Sequence, residues 1–158
     1  MSRRVINFFI SALVIIAILV VLKPFEKDIW DVNAHKLRKS FQPISGSAII
    51  DDFSEWVPFE WDRLYSFPPY TSKEIIYEAI GYKWEDITET LDEGMNQVIF
   101  IKDGKVVCYI HGYPHKNKLS FNFGPFVGGY FKLTNEPDLT FETTYNEEGQ
   151  IRYFDYIR

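Results

Sequence analysis

The sequence predicts an α+β fold: an N-terminal transmembrane helix followed by a small domain with a mostly antiparallel β-sheet and one or two packed helices. Three observations carry that prediction. An uncharged apolar run, Val5 to Leu22, opens the chain; residues 59–81 read as one strand and one short helix; the remainder breaks into short alternating strands joined by turn signals. Short turns join antiparallel neighbours, and one strand plus one helix followed by strands gives a sheet with one covered face. With 158 residues, 46% of them apolar and 28 of them aromatic, the chain is long enough for one packed domain and too hydrophobic for disorder.

The apolar run is eighteen residues long, with only Asn7 and Ser11 polar. As a helix it reaches about 27 Å, close to the ~30 Å hydrocarbon core of a bilayer. Arg3, Arg4 and Lys23 flank it and can snorkel to the two interfaces. A cleaved signal peptide has a shorter apolar region ending in small residues, whereas Leu19-Val20-Val21-Leu22 runs straight into Lys23-Pro24. An uncleaved anchor is therefore expected. No Cys follows it for lipidation, and position 2 is Ser, which excludes myristoylation. Arg3 and Arg4 favour a cytoplasmic N-terminus; Lys23, Lys27, Lys36, Arg38 and Lys39 count against it. Long C-terminal domains translocate largely regardless of charge, so the reading is a single-pass protein of the cell membrane with its C-terminal domain outside.

The expected division is 1–24 for cytoplasmic tail and anchor, 25–46 for a membrane-proximal helix and linker, and 47–158 for the extracytoplasmic α+β domain. Trp30, Ala34, Leu37 and Phe41 recur at helical spacing along one face of 25–41. Pro43 and Gly46 then break the chain, making 25–41 a stalk in which His35 is solvated. Phe59 to Phe67 alternates as a strand, with Trp61, Arg63, Tyr65 and Phe67 on one side and Asp62, Leu64 and Ser66 on the other. Thr71 and Glu74 have capping-box spacing, and Tyr70 with Ile75 fits a hydrophobic staple. Ile75, Ile76, Ala79 and Ile80 form the expected buried stripe, and Gly81 ends the helix. Asp103-Gly104 between Gln97–Lys102 and Val106–His111 is a strong hairpin signal. Leu119 to Phe123 alternates, and 139–145 turns through Asn146-Glu147-Glu148-Gly149 into 151–157 as a second hairpin.

Beyond Leu22 there are 15 basic and 22 acidic residues, a net charge of −7. That sign opposes the basic footprint of nucleic-acid binders and gives no pull toward anionic lipid. The lone Cys108 excludes an intrachain disulfide.

The run Phe59-Glu60-Trp61-Asp62-Arg63-Leu64-Tyr65-Ser66-Phe67-Pro68-Pro69-Tyr70-Thr71-Ser72-Lys73-Glu74 resembles an uncharacterised group of small bacterial secreted or membrane-anchored proteins. Their shared phrase is a Trp-Asp strand, a Phe-x-Pro-Tyr-Thr corner and a short helix, followed by a hairpin like Val98 to Val107. The resemblance covers about a third of the chain. It implies an extracytoplasmic α+β module and brings no activity, cofactor or catalytic residue. Asp62 is the one residue of the phrase without an obvious structural role.

His111 and His115 are weak metal candidates, two imidazoles near a hairpin end without a third ligand nearby; surface histidines are the ordinary reading. Glu60 and Asp62 share a strand face, but paired glycosidase carboxylates come from separate elements. Cys108, mid-strand, reads as a buried apolar residue rather than a nucleophile. Residues 124–130 are glycine-rich without the ending a phosphate loop needs; they read as a turn, with Phe126 and Tyr130 as an exposed aromatic tip for a partner, and Asp62 as a third partner-binding candidate. The other aromatics, 26 of the 136 residues beyond the span, fill a core or line a sugar-stacking face. The reading is a non-enzymatic, membrane-anchored protein-interaction or regulatory domain with an unidentified protein partner, no nucleic acid and no cofactor. The alternatives are a tethered small-ligand or glycan-binding module and a hydrolytic enzyme.

Overall fold

A computed structural model describes residues 28–40 and 46–157. The expected span Val5–Leu22 lies outside the described residues, and among the described residues no helix is long and apolar enough to cross a membrane. The domain is α+β, mostly sheet with few helices. Its elements are α1 (Ile29–Lys39), β1 (Gly46–Ile50), α2 (Phe53–Trp56), β2 (Arg63–Ser66), α3 (Lys73–Ile80), β3 (Asn96–Lys102), β4 (Lys105–Gly112), α4 (Pro114–Asn117), β5 (Leu119–Asn122), β6 (Phe131–Thr134), β7 (Phe141–Asn146) and β8 (Ile151–Tyr156).

The strands form two sheets, where one was expected. The first runs β1-β7-β8-β5 and the second β4-β3-β2-β6. All pairings are antiparallel except β5 with β8, which is parallel. The sheets share one core: Leu64, Val98, Phe100 and Leu133 from the second sheet meet Leu119, Phe121, Phe141 and Phe154 from the first. Phe53 on α2 closes this core, its ring 4.3 Å from that of Phe141 and 6.2 Å from that of Trp61. Asp52 holds the short α2 in place by accepting from the backbone NH groups of Ser54 (2.8 Å) and Glu55 (3.3 Å).

The second sheet is buried on both faces. Its other face carries Tyr65, Phe67, Ile99, Ile101 and Tyr109 against Ile76 and Ile80 of α3 and Ile87 of the following loop. The pairing of β3 with β4 shifts between Phe100 and Ile101, so that Phe100 faces Cys108 while Ile101 faces Val106. Val107 is the extra residue of a bulge, which reverses the alternation of β4. Val106 therefore joins the outer cluster, while Cys108 and Ile110 join the core between the sheets. The Asp103-Gly104 turn has positive φ at both residues, as a two-residue hairpin requires.

Helix α1 is part of this packing rather than a separate stalk. It crosses the edge of β4, with Ala34 and Leu37 buried in the core between the sheets and Trp30 packed on Trp84 and Tyr109 of the outer cluster. Asn33 Nδ2 donates to the carbonyl of the bulged Val107 (3.0 Å), sealing that edge. His35 is exposed, as expected. The sequence pattern was amphipathic because the helix has a core to cover.

Three local expectations need correction. The strand at 59–67 is shorter, Arg63–Ser66, and both its faces are buried; Trp61 packs with Leu64, not with Tyr65 and Phe67. Helix α3 begins after Ser72, not Thr71. Thr71 donates to the Pro68 carbonyl (2.7 Å), Glu89 from the later loop takes the Lys73 NH (2.9 Å), and the Glu74 carboxylate bonds its own NH and the Ser72 hydroxyl. Tyr70 and Ile75 are both exposed and form no staple, because the Thr71 turn directs the corner outward. Gly81 does end α3, in the left-handed region at φ +92°, which glycine reaches without the Cβ penalty.

Asparagine amides close the remaining seams. Asn96, nearly buried at the start of β3, donates to the Leu119 carbonyl (3.2 Å) and accepts from the Phe121 NH (3.3 Å), so one side chain stands in for a strand against β5. Asn96→Ala leaves two buried backbone groups without partners at 1–3 kcal/mol each, and is expected to cost roughly 2–4 kcal/mol in urea unfolding. A loss below about 0.5 kcal/mol would show that the contact does not join the sheets.

Candidate functional site

The antiparallel order of the second sheet brings four connections to one end of it. The end of β2 leads into 67–72, the start of β3 follows 91–95, the end of β4 leads into Tyr113, and 124–130 leads into β6. At this end the large apolar side chains Tyr70 (64% exposed), Leu91 (73%), Phe126 (42%) and Val127 (80%) face solvent. Phe126 shares a shallow pocket of about 230 Å³ with Pro69, Gly94 and Met95. The opposite end, at the Asp103-Gly104 turn, is polar.

A buried polar network holds this end in shape. The Tyr109 hydroxyl donates to the Thr88 carbonyl (3.0 Å) and accepts from Gln97 Nε2 (3.2 Å); the same Nε2 also donates to the Thr88 carbonyl (2.8 Å). Burial pushes the Tyr109 phenol up to about 12, so it stays a donor. The Thr90 hydroxyl donates to Gln97 Oε1, and the Thr90 carbonyl accepts from the Tyr70 NH (2.8 Å). The loop carrying Leu91 and the corner carrying Tyr70 are thus tied to β3 and β4.

Of the two aromatics in the glycine-rich segment, the structure separates the roles. Tyr130 packs on Tyr65 (5.7 Å) and Phe67 (5.9 Å) and belongs to the outer cluster. Phe126 and Val127 stay outside, on a turn closed by the Val127–Tyr130 bridge. Asp62 lies at the opposite end and has a structural role after all. One carboxylate oxygen meets Lys102 Nζ (2.9 Å) and the other accepts from the Asp103 NH (2.7 Å), pinning the hairpin turn. The Lys102 contact first, then the Asp103 NH, hold its carboxyl below the usual range. Glu60 is exposed and 4.0 Å from the same lysine.

The two histidines serve separate contacts. His111 lies beside the Tyr109 ring (5.6 Å), and exposed His115 stacks on Tyr113 (5.4 Å), whose hydroxyl donates to Asp92 (2.8 Å). Among the described residues no three potential ligands gather into a metal site. Cys108 is fully buried, and burial raises its thiol far above the ordinary range. Trp61 is sealed in the core, while Trp30, Trp56 and Trp84 are half-buried in contacts with other rings. A larger cleft, about 670 Å³, opens on the inner face of the first sheet beside Ala48, Ile50, Thr143 and Trp56. Two of its polar groups serve the fold: Asp52 caps α2, and Arg152 lies over the Tyr145 ring at 4.9 Å.

The exposure of Phe126 was expected from the sequence; that of Tyr70, Leu91 and Val127 at the same end was not. The available signal was the mismatch at Tyr70: an aromatic next to Pro68-Pro69 with no partner that the helix could supply. Comparison with protein-family models, curated proteins and solved structures finds no match for this chain.

Two predictions follow from buried titratable groups. Burial lowers the His111 pKa below 6.5, against a smaller raising effect of its bond to the Glu89 backbone, and its buried Nε2 has no hydrogen-bond partner among the described residues. The unfolded chain therefore takes up the proton first, and stability is full above about pH 6.5 and falls as pH drops toward the folded-state value. Denaturation midpoints between pH 7 and 5 should fall less steeply in His111→Gln than in the parent; equal slopes would contradict this. The Cys108 thiol should resist a disulfide reagent in native protein and react at once in denaturant; prompt native labelling would show that the core between the sheets opens.

Proposed function

We propose that this chain is a non-catalytic protein-interaction module held at the cell membrane by Val5–Leu22, its domain outside the cytoplasm, and that its partner docks on the exposed end formed by Tyr70, Leu91, Phe126 and Val127. The observation that carries the reading is the clustering of Tyr70, Leu91, Phe126 and Val127 at one end of a domain most of whose other aromatic rings pack within its two hydrophobic clusters. Exposed apolar clusters with polar rims mark contact surfaces. A protein partner fits better than the bilayer itself. Asp92 and Glu93 stand on the same loop as Leu91, and the residues beyond the span carry −7, which repels anionic lipid. The same charge favours a partner with a basic rim around an apolar centre.

The test is site-specific photo-cross-linking of the full chain in its native membrane, with the reactive group at Val127 or, as control, at Lys105 near the hairpin turn. Val127 should give a discrete protein adduct that a Phe126→Asp change abolishes, and Lys105 should give none. Adducts with lipid alone, or identical adducts from both positions, would overturn the reading. A reporter active only outside the cytoplasm, fused at Arg158, should be active; activity from a cytoplasmic reporter instead would reverse the orientation.

A further inference from the structure

We infer that β1 is a self-association edge, through which two copies of this chain pair antiparallel and join their four-stranded sheets into one of eight strands. Exposed sheet edges offer unpaired NH and C=O groups to another strand, and proteins block those they do not use. Three of the four edges here are blocked. Helix α1 covers β4, with Asn33 on the Val107 carbonyl. The Asn96 side chain occupies the backbone of β5. The short β6 carries the exposed Lys132 in its middle, a charge that a pairing strand would have to accommodate.

Among the described residues, strand β1 has none of these devices. It pairs with β7 on one side, and no described strand pairs with its other side. Its sequence, Gly46-Ser47-Ala48-Ile49-Ile50, has no charge, proline or bulge, and Ile49 is 54% exposed on the outer face. The occupant is argued from charge. An antiparallel copy centred on Ala48 sets uncharged residues against uncharged residues along the whole strand. No residue of the strand carries a charge, so no like charges meet along it. Glu142 on the neighbouring β7 accepts from the Ser47 hydroxyl (2.8 Å). A two-fold contact needs such a self-complementary patch. This surface lies on the other sheet from the apolar end and is independent of it.

The test is sedimentation of the full chain in detergent over a concentration series. The parent should form dimers, Ile49→Thr should keep them, and Ile49→Lys should weaken them at least about tenfold with an unchanged circular dichroism spectrum. A spin label at Ser47→Cys, with Cys108 buried, should give a distance between copies under about 20 Å, as neighbouring antiparallel strands require. A monomer into the high micromolar range would overturn the inference. So would a dimer indifferent to Ile49→Lys, or labels well beyond that distance; these would place any contact elsewhere or with another protein.

Discussion

The structure depends on one constraint: the β3–β4 hairpin is buried on both faces. Val98, Phe100, Cys108 and Ile110 look into the core between the sheets, and Ile99, Ile101, Val106 and Tyr109 look the other way. A hairpin so placed needs a covering layer on each side and a seal on its edge. The first sheet supplies one layer, α3 with the loop after it supplies the other, and α1 seals the edge at the bulged Val107. Fully burying each large apolar side chain contributes about 1.5–3 kcal/mol, so the two-sided hairpin gathers much of the domain's hydrophobic stabilisation into one element.

This arrangement also decides where apolar groups remain outside. The polar end of the second sheet is tied by Asp62 to Lys102 and to the Asp103 backbone, and the Asn135 side chain donates to the Trp61 carbonyl there (2.6 Å). At the other end the connections are longer, and the Tyr109–Gln97–Thr88 network fixes their backbones while leaving Tyr70 and Leu91 uncovered. The same phenol thus links stability to the shape of the exposed apolar end. It packs against Trp30 and Trp84 through its ring and holds the loop through its hydroxyl.

Much of this was legible from local signals. The Asp103-Gly104 hairpin, the Gly81 helix end, the 139–157 hairpin and the amphipathic face of α1 each follow from residue types within a few positions. What stayed hidden depends on partners distant in sequence. The unbroken apolar run of β3 shows burial but not how many layers cover it, and the division into two sheets appears only when β1 and β6, both short, find β7 and β2. Glu89 capping α3 from sixteen residues away has no local signature, and neither has the bulge at Val107. Asp62 looked functional because its partner, the Asp103 NH, lies 41 residues on. At the exposed apolar end, the glycine-rich turn pointed to Phe126, but the topology that gathers Tyr70 and Leu91 at the same end was not readable from spacing.

Hydrogen–deuterium exchange on the full chain in detergent tests the two-sided burial most directly, because protection reports the free energy of opening each segment. The account predicts that amides of 98–101 and 108–110 exchange slowest, at the rate of global unfolding, while 67–72, 91–95 and 124–130 exchange first. Exchange of β3 no slower than that of β1 and β7 would contradict it, since a strand covered on both faces cannot open before the sheet that covers it.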